Sequence, residues 1–221
     1  MDRVKGEDQK KNRARRIIQS LQRSRPDAVV ELDHSNPFEL LVATILSAQC
    51  TDERVNQVTP GLFGCYPSPE AMAKANPRKV EKLIQSTGFF RNKAKSLIRC
   101  SQRLVVAFHG QVPRTMEELT TLPGIGRKTA NVLLGACFHQ PAIVVDTHVK
   151  RVATRLRLTE STDPTPIEYD LQTLWPKTDW TKAAQQLLLH GRYVCMARKP
   201  KCDQCVIFRD CPWDGKPVVV H

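Results

Sequence analysis

Apolar positions recur along this chain at helical spacing, and runs that alternate at every second position are scarce. Ile17, Ile18 and Leu21 form a short amphipathic stripe behind a basic N-terminal stretch. Asn36-Pro37 opens the apolar run 38–46: an Asn that can cap free amides, then a proline where no amide is needed. Asn76-Pro77 repeats the device before Val80, Leu83 and Ile84, and Gly88 supplies the stop. Leu97, Ile98, Leu104, Val105 and Phe108 share one helical face that ends at Gly110. Thr115 with Glu118, and Thr165 with Glu168, have capping-box spacing, and Asp179 is placed to cap a helix running to Gly191. Residues 142–145 are the one β-like stretch, too short for a sheet. The pattern predicts roughly ten helices joined by short Pro/Gly turns, an all-α fold.

Composition adds what this fold meets. The chain has 221 residues, 41% hydrophobic and 25% charged, which is a globular balance. No stretch approaches the roughly 18 apolar residues of a membrane span. The N-terminus has no apolar run behind its charges and contains Asp2, Glu7 and Asp8, unlike a secretory or transit peptide. A cytoplasmic protein is expected. Its formal net charge is +12, and the excess is uneven. Residues 1–25 hold nine Lys/Arg against three acids, and residues 78–103 hold eight against Glu81 alone. One such cluster is usually a solvated face; two, with Arg127–Lys128 and Lys150–Arg151 besides, point to nucleic acid and a nucleoid-associated protein. Most of these charges are expected on one DNA-facing surface.

Eight cysteines divide into two groups. Cys50, Cys65, Cys100 and Cys137 are scattered and read as small thiols of the interior. Cys195, Cys202, Cys205 and Cys211 fall within 17 residues, and four thiols so close in an intracellular chain imply a metal centre. Thiolates select zinc or iron–sulfur. Only Cys202-x2-Cys205 has the short spacing of a zinc knuckle, and the wider steps suit a [4Fe–4S] cube, so both stay open with iron–sulfur ahead. The loop between the first two cysteines carries Arg198, Lys199 and Lys201, which either touch phosphates or balance an anionic cluster.

Leu122-Pro123-Gly124-Ile125-Gly126-Arg127-Lys128-Thr129-Ala130 joins two helical stretches. Gly124 and Gly126 flank one apolar residue, leaving the turn's backbone uncovered and the amides of the next helix free to hold a phosphate. This is the helix-hairpin-helix pattern of sequence-independent DNA binding. Lys128 is either a phosphate contact or a nucleophile; the second role needs a neutral amine, favoured by a helix N-terminus, Arg127 and an apolar surround. Asp146, opening Val-Asp-Thr-His-Val, is either a helix cap or a carboxylate that stabilises positive charge and moves a proton. His148 reads as a structural or phosphate-facing group.

Taken together, the glycine turn, Val-Asp-Thr-His-Val eighteen residues after Lys128, the Cys-x6-Cys-x2-Cys-x5-Cys spacing and Ser47-Ala48-Gln49-Cys50-Thr51-Asp52 resemble the endonuclease III family of DNA glycosylases. The resemblance implies two helical domains: a six-helix domain over 30–140 with the hairpin, and a [4Fe–4S] domain built from 1–29 and 141–221, with DNA in the cleft between them. It implies that Lys128 attacks C1′ of a flipped oxidised pyrimidine nucleotide, that a Schiff base forms, and that β-elimination cuts the strand 3′ to the lesion. Asp146 assists. Gln49 fills the gap in the stack and Phe89 acts as a wedge, while Gly124, Gly126, Arg127, His148, Lys199 and Lys201 contact the DNA. A monomer acting on double-stranded DNA with damaged pyrimidines or abasic sites is expected.

Cys50 stands where Ala is more familiar, and Phe89 replaces an aliphatic wedge; both bear on lesion or opposite-base preference. A mismatch-adenine relative has a small hydroxyl residue at the Lys128 position and a further C-terminal domain, and the short stretch after Cys211 speaks against it. A mismatch thymine/uracil glycosylase, a pyrimidine-dimer glycosylase and a non-catalytic hairpin module are the remaining alternatives.

Overall fold

The structure, a computed structural model, describes residues 2–28 and 30–217, with side chains from residue 6 onward. The charges of Asp2, Arg3 and Lys5 therefore lie outside the described residues. Eleven α-helices and three short 3-10 turns occur among these residues, with no strand. No helix among them is long and apolar enough to cross a membrane. Residues 142–145 are irregular backbone, as their brevity implies.

The chain divides into two compact units, residues 30–140 and residues 1–29 with 141–221. Helix α1 (Asp2–Ser24) belongs to the discontinuous unit. The continuous unit holds α2 (Pro37–Leu46), α3 (Asp52–Cys65), α4 (Pro69–Ala73), α5 (Pro77–Ile84), α6 (Phe90–Phe108), α7 (Met116–Leu119) and α8 (Arg127–Cys137). The chain then returns with α9 (Thr147–Arg155), α10 (Pro164–Gln172) and α11 (Trp180–Tyr193).

In the continuous unit seven helices stand where six were expected, two of them a single turn long. Helix α3 gave little sequence signal, because it contains Pro60, Gly61 and Gly64. It is anchored at its start by Thr51, which accepts from the Arg54 amide, and by Asn56, whose side chain reaches the Glu31 carbonyl. Asn36 caps α2 and Asn76 caps α5, each with its side-chain oxygen on first-turn amides. Thr115 caps α7: its hydroxyl accepts from the Glu118 amide and donates to the Glu118 carboxylate, so the reciprocal bond of a full box to the Thr115 amide is replaced by a side-chain one. Helix α6 packs against α2, α4 and α5, and Leu40, Leu41, Leu46, Met72, Ile84, Leu97 and Leu104 fill the space between them.

Two expected caps do not form. Pro164 takes the first position of α10, so Asp163 and not Thr165 is the cap residue, and Glu168 is buried. Asp179 precedes α11, but its backbone is already helical after the 3-10 turn Lys177–Asp179, which leaves its side chain off the helix amides.

In the discontinuous unit the stripe read at the N-terminus is the buried face of α1. Ala14, Ile17, Ile18 and Leu21 join Val149, Val152, Leu171, Trp175, Leu187 and Ile207 in one core. Polar bonds fix the register of α1: Trp175 Nε1 donates to the Ala14 carbonyl at 3.2 Å, Gln186 Nε2 to the Arg25 carbonyl at 2.7 Å, and Arg13 to the Leu156 carbonyl at 2.7 Å.

Replacing Asn76 with Ala should cost about 1 kcal/mol by urea denaturation, whereas Asn76→Ser, which keeps a capping oxygen, should stay within a few tenths of wild type. An equal loss in both variants would mean that the cap is not what Asn76 contributes.

Candidate active site and cluster-binding segment

The glycine turn follows from backbone geometry. Leu122 and Ile125 are buried and tie the turn down, with the Ile125 amide on the Leu122 carbonyl at 3.1 Å. Gly124 sits at φ +86°, and a Cβ there would come within 3.3 Å of Ser96. Gly126 is different. Its φ of −101° suits any residue, and a Cβ would meet nothing within 4 Å. It is the cap residue of α8, and no side chain caps that helix. The first-turn amides of α8 therefore face the open space beside Gly126, the arrangement that attracts an anion.

Lys128 is the second residue of α8 and is exposed, and no described residue bonds its ammonium. The apolar surround expected around it is not seen among the described residues, because the side chain is exposed. Asp146 belongs to the other unit and does cap a helix: Oδ1 accepts from the Val149 amide at 2.7 Å, at the start of α9. Its second oxygen has no partner among the described residues. The cap and the reactive carboxylate are thus compatible readings, because each uses a different oxygen. His148 packs its Cβ where Gly191 leaves room on α11, and its Nδ1 lies 3.2 Å from Arg151. That geometry favours its structural reading.

Three of the other expected DNA contacts share a backbone feature. Only six non-glycine residues among those described have positive φ, and Gln49 (54°), Phe89 (47°) and Lys199 (50°) are three of them. The left-handed region costs an ordinary residue about 1–2 kcal/mol, and such strain concentrates at functional sites. Ser47 and Thr51 frame Gln49: Ser47 ends α2 with its hydroxyl on the Thr44 carbonyl, and Thr51 caps α3. Phe89 is 63% exposed, although it is a large apolar side chain, and it stands at the uncapped start of α6. Phe90 is half-buried, so the pair divides into one projecting and one packing ring. Of the seven helices in the continuous unit, only α6 and α8 lack a side-chain cap.

The basic surface is smaller than the sequence implied. Arg127 is half-buried, and Lys199 and Lys201 are exposed, yet several other cations turn inward to carbonyls. Arg151 donates to the Gly191 and Cys195 carbonyls, and Arg13 is held by the Leu156 carbonyl. Arg16 pairs with Asp210 at 2.8 Å, and Lys93 is buried.

Cys195, Cys202, Cys205 and Cys211 line one pocket, and none forms a disulfide. Among the described residues no three His, Cys, Asp or Glu side chains stand close enough to hold a single metal ion. A set of four thiols around one pocket can supply the four thiolate corners of an iron–sulfur cube. Burial, reinforced by the charges of the neighbouring cysteines, pushes the Cys205 thiol up to about 11 and raises Cys202, so four thiolates require a cationic partner. Positive groups stand ready. Arg155 donates to Cys195 Sγ at 3.2 Å and to the Met196 and Ala197 carbonyls at 2.8 and 3.2 Å, with its guanidinium 4.0 Å over Trp213. Lys216 binds the Cys211 and Phe208 carbonyls. Arg155 was not singled out in the sequence, because its partners are backbone carbonyls about forty residues away. By gripping residues 195–197 it fixes the start of the basic loop that carries Lys199 and Lys201.

Residues 42–177 match the family described as HhH-GPD superfamily base excision DNA repair protein, and residues 195–211 match the iron–sulfur binding domain of endonuclease III. An endonuclease III of Synechocystis sp. is 52% identical over 204 residues, covering 92% of this chain and 93% of its own. The chain belongs to the endonuclease III family. It is a base-excision-repair DNA glycosylase with AP lyase activity, it binds DNA, and its C-terminal segment carries a [4Fe–4S] cluster. The endonuclease III of Bacillus subtilis is 45% identical, covering 84% of this chain and 85% of its own. A structure titled as a trapped endonuclease III–DNA covalent intermediate superposes with a TM-score of 0.88 at 41% identity, covering 91% of this chain and 95% of that one.

Gly124→Ala should destabilise the protein by about 1–2 kcal/mol, since it forces a left-handed alanine against Ser96, whereas Gly126→Ala should leave stability within about 0.5 kcal/mol. Equal effects in thermal melting would show that the turn does not distinguish its two glycines as described.

Proposed function

We propose that this family member excises oxidised pyrimidines from duplex DNA as a monomer in the nucleoid, with Lys128 as nucleophile and Asp146 as its assisting carboxylate. The observation that carries the proposal is the uncapped start of α8. There an exposed lysine sits one residue from a helix N-terminus whose amides have no side-chain cap. The titled covalent intermediate of the 41% identical relative supports a covalent route.

The amides of α8 and the space beside Gly126 hold a phosphate, with Arg127, Lys199 and Lys201 on neighbouring phosphates and His148 at the start of α9. Gln49 and Phe89 enter the stack as the lesion nucleotide leaves it, offsetting part of an unstacking cost of a few kcal/mol. The neutral amine of Lys128 attacks C1′, and the C1′–N bond breaks as the base departs with its electron pair. The amine loses its proton and the sugar ring opens to a Schiff base. Loss of a C2′ proton then expels the 3′ phosphate oxygen, and water frees Lys128. The unpartnered oxygen of Asp146 stabilises the cationic sugar and carries protons. In this reading residues 30–140 form the hairpin domain, and residues 1–29 with 141–221 form the cluster domain.

Cys195, Cys202, Cys205 and Cys211 are the proposed cluster ligands. When bound, the cluster supplies four fixed iron–thiolate bonds, which with Arg155 hold the loop 196–201 in shape.

Borohydride reduction on abasic-site DNA tests the nucleophile. Wild-type protein should form a covalent adduct, Lys128→Gln should form none, and Asp146→Asn should slow trapping by two or more orders of magnitude. A panel of duplexes, each with one oxidised pyrimidine, one pyrimidine dimer or one mismatch, tests the substrate; preference for a dimer or a mismatch overturns it. A Lys128→Gln protein that still traps would overturn the assignment of the nucleophile. Affinity for undamaged duplex should fall with salt, by a slope of about −0.9 per phosphate neutralised.

A further inference from the structure

Lys93 has no part in the chemistry above, and its position is costly. It is the fourth residue of α6, near that helix's positive end, and it is buried. Burial lowers its pKa, opposed by the nearby Cys50. Among the described residues no carboxylate meets it; its ammonium donates to two main-chain carbonyls, Leu46 at 2.8 Å and Thr87 at 2.7 Å. Burying this charge carries a desolvation cost that its bonds to these two carbonyls offset.

The two carbonyls explain the lysine. Leu46 is the last residue of α2, three residues before Gln49. Thr87 is the last residue of the 3-10 turn Gln85–Thr87, two residues before Phe89. Gln49 and Phe89 both hold left-handed backbone, a conformation that persists only where the surroundings over-determine it. Helix α2 and the 3-10 turn are distant in sequence, and one ammonium ties both of their ends. Resting on the reading of Gln49 and Phe89 as the residues that enter the duplex, we propose that Lys93 is a positioning residue that locks the turn bearing Gln49 to the turn bearing Phe89. The two side chains then meet a duplex as a pair of fixed spacing, and neither turn can relax without releasing the other.

The test uses a duplex with an uncleavable abasic analogue and 2-aminopurine opposite it, whose fluorescence rises when the base is unstacked. Lys93→Met should keep the wild-type helical signal and wild-type binding to undamaged duplex. It should lose most of the fluorescence rise, and it should slow base excision at saturating DNA by on the order of tenfold or more. Lys93→Arg, which restores the donors, should recover part of both. In a Gln49→Ala/Phe89→Ala background, Lys93→Met should cause little further loss, because the parts it positions are gone. A wild-type fluorescence rise in Lys93→Met, or full additivity in the triple variant, overturns the proposal. If Gln49→Ala and Phe89→Ala themselves leave the rise unchanged, the reading of the inserted pair is what fails. Should Lys93→Met be too unstable to assay, Lys93→Gln, which can keep one carbonyl, is read by the same two signals.

Discussion

Every α-helix begins with amides that its own backbone cannot satisfy, and how this chain disposes of them organises the rest of the structure. In the continuous unit Asn36, Thr51, Ser68, Asn76 and Thr115 each turn a side-chain oxygen onto those amides, so five helices end in closed, self-contained caps. Helices α6 and α8 do not, and their first residues follow Phe89 and Gly126. The two open starts coincide with the proposed wedge and the proposed phosphate cradle. A fold that caps its other helix starts in this unit with polar side chains has left unfilled the two that a polyanion can complete.

Charge follows a similar division. A net +12 reads as a surface property, yet Arg13, Arg151, Arg155, Lys93 and Lys216 all spend hydrogen bonds on main-chain carbonyls. These cations act as internal struts between segments without regular pairing of their own. Exposed cations such as Lys199 and Lys201 make no such bond among the described residues and can meet phosphate. The positive excess therefore serves two purposes, and overall charge alone cannot apportion them.

What was legible in the sequence is what depends on neighbours along the chain. Asn36-Pro37, Asn76-Pro77 and the Thr115 cap act within four residues, and the structure shows each side-chain oxygen on its helix amide. The glycine turn was legible because a φ of +86° leaves few choices of residue at Gly124. Gln49 and Phe89 were singled out only through the family resemblance, not by the residues around them. Hidden from the sequence were features whose partners are remote or featureless. Lys93 and Arg155 bind carbonyls, which every residue has, so nothing in the amino-acid pattern announces them. Helix α3 was masked by Pro60, which its anchored start overcomes. Thr165 and Asp179 look like caps, but Pro164 moves the cap of α10 to Asp163, and the preceding 3-10 turn leaves Asp179 at the cap position with helical backbone that takes its side chain off the amides.

The unit assembled from both ends of the chain carries a consequence for how the protein is made. Helix α1 is made before the continuous unit, with Ala14, Ile17, Ile18 and Leu21 bare while most of the core they belong to is still untranslated. The continuous unit is completed about 70 residues before Ile207, the last buried residue of that core, an interval on the order of ten seconds of translation. Vectorial synthesis thus finishes the hairpin-bearing unit before the four cysteines of the proposed cluster are made, and leaves α1 waiting.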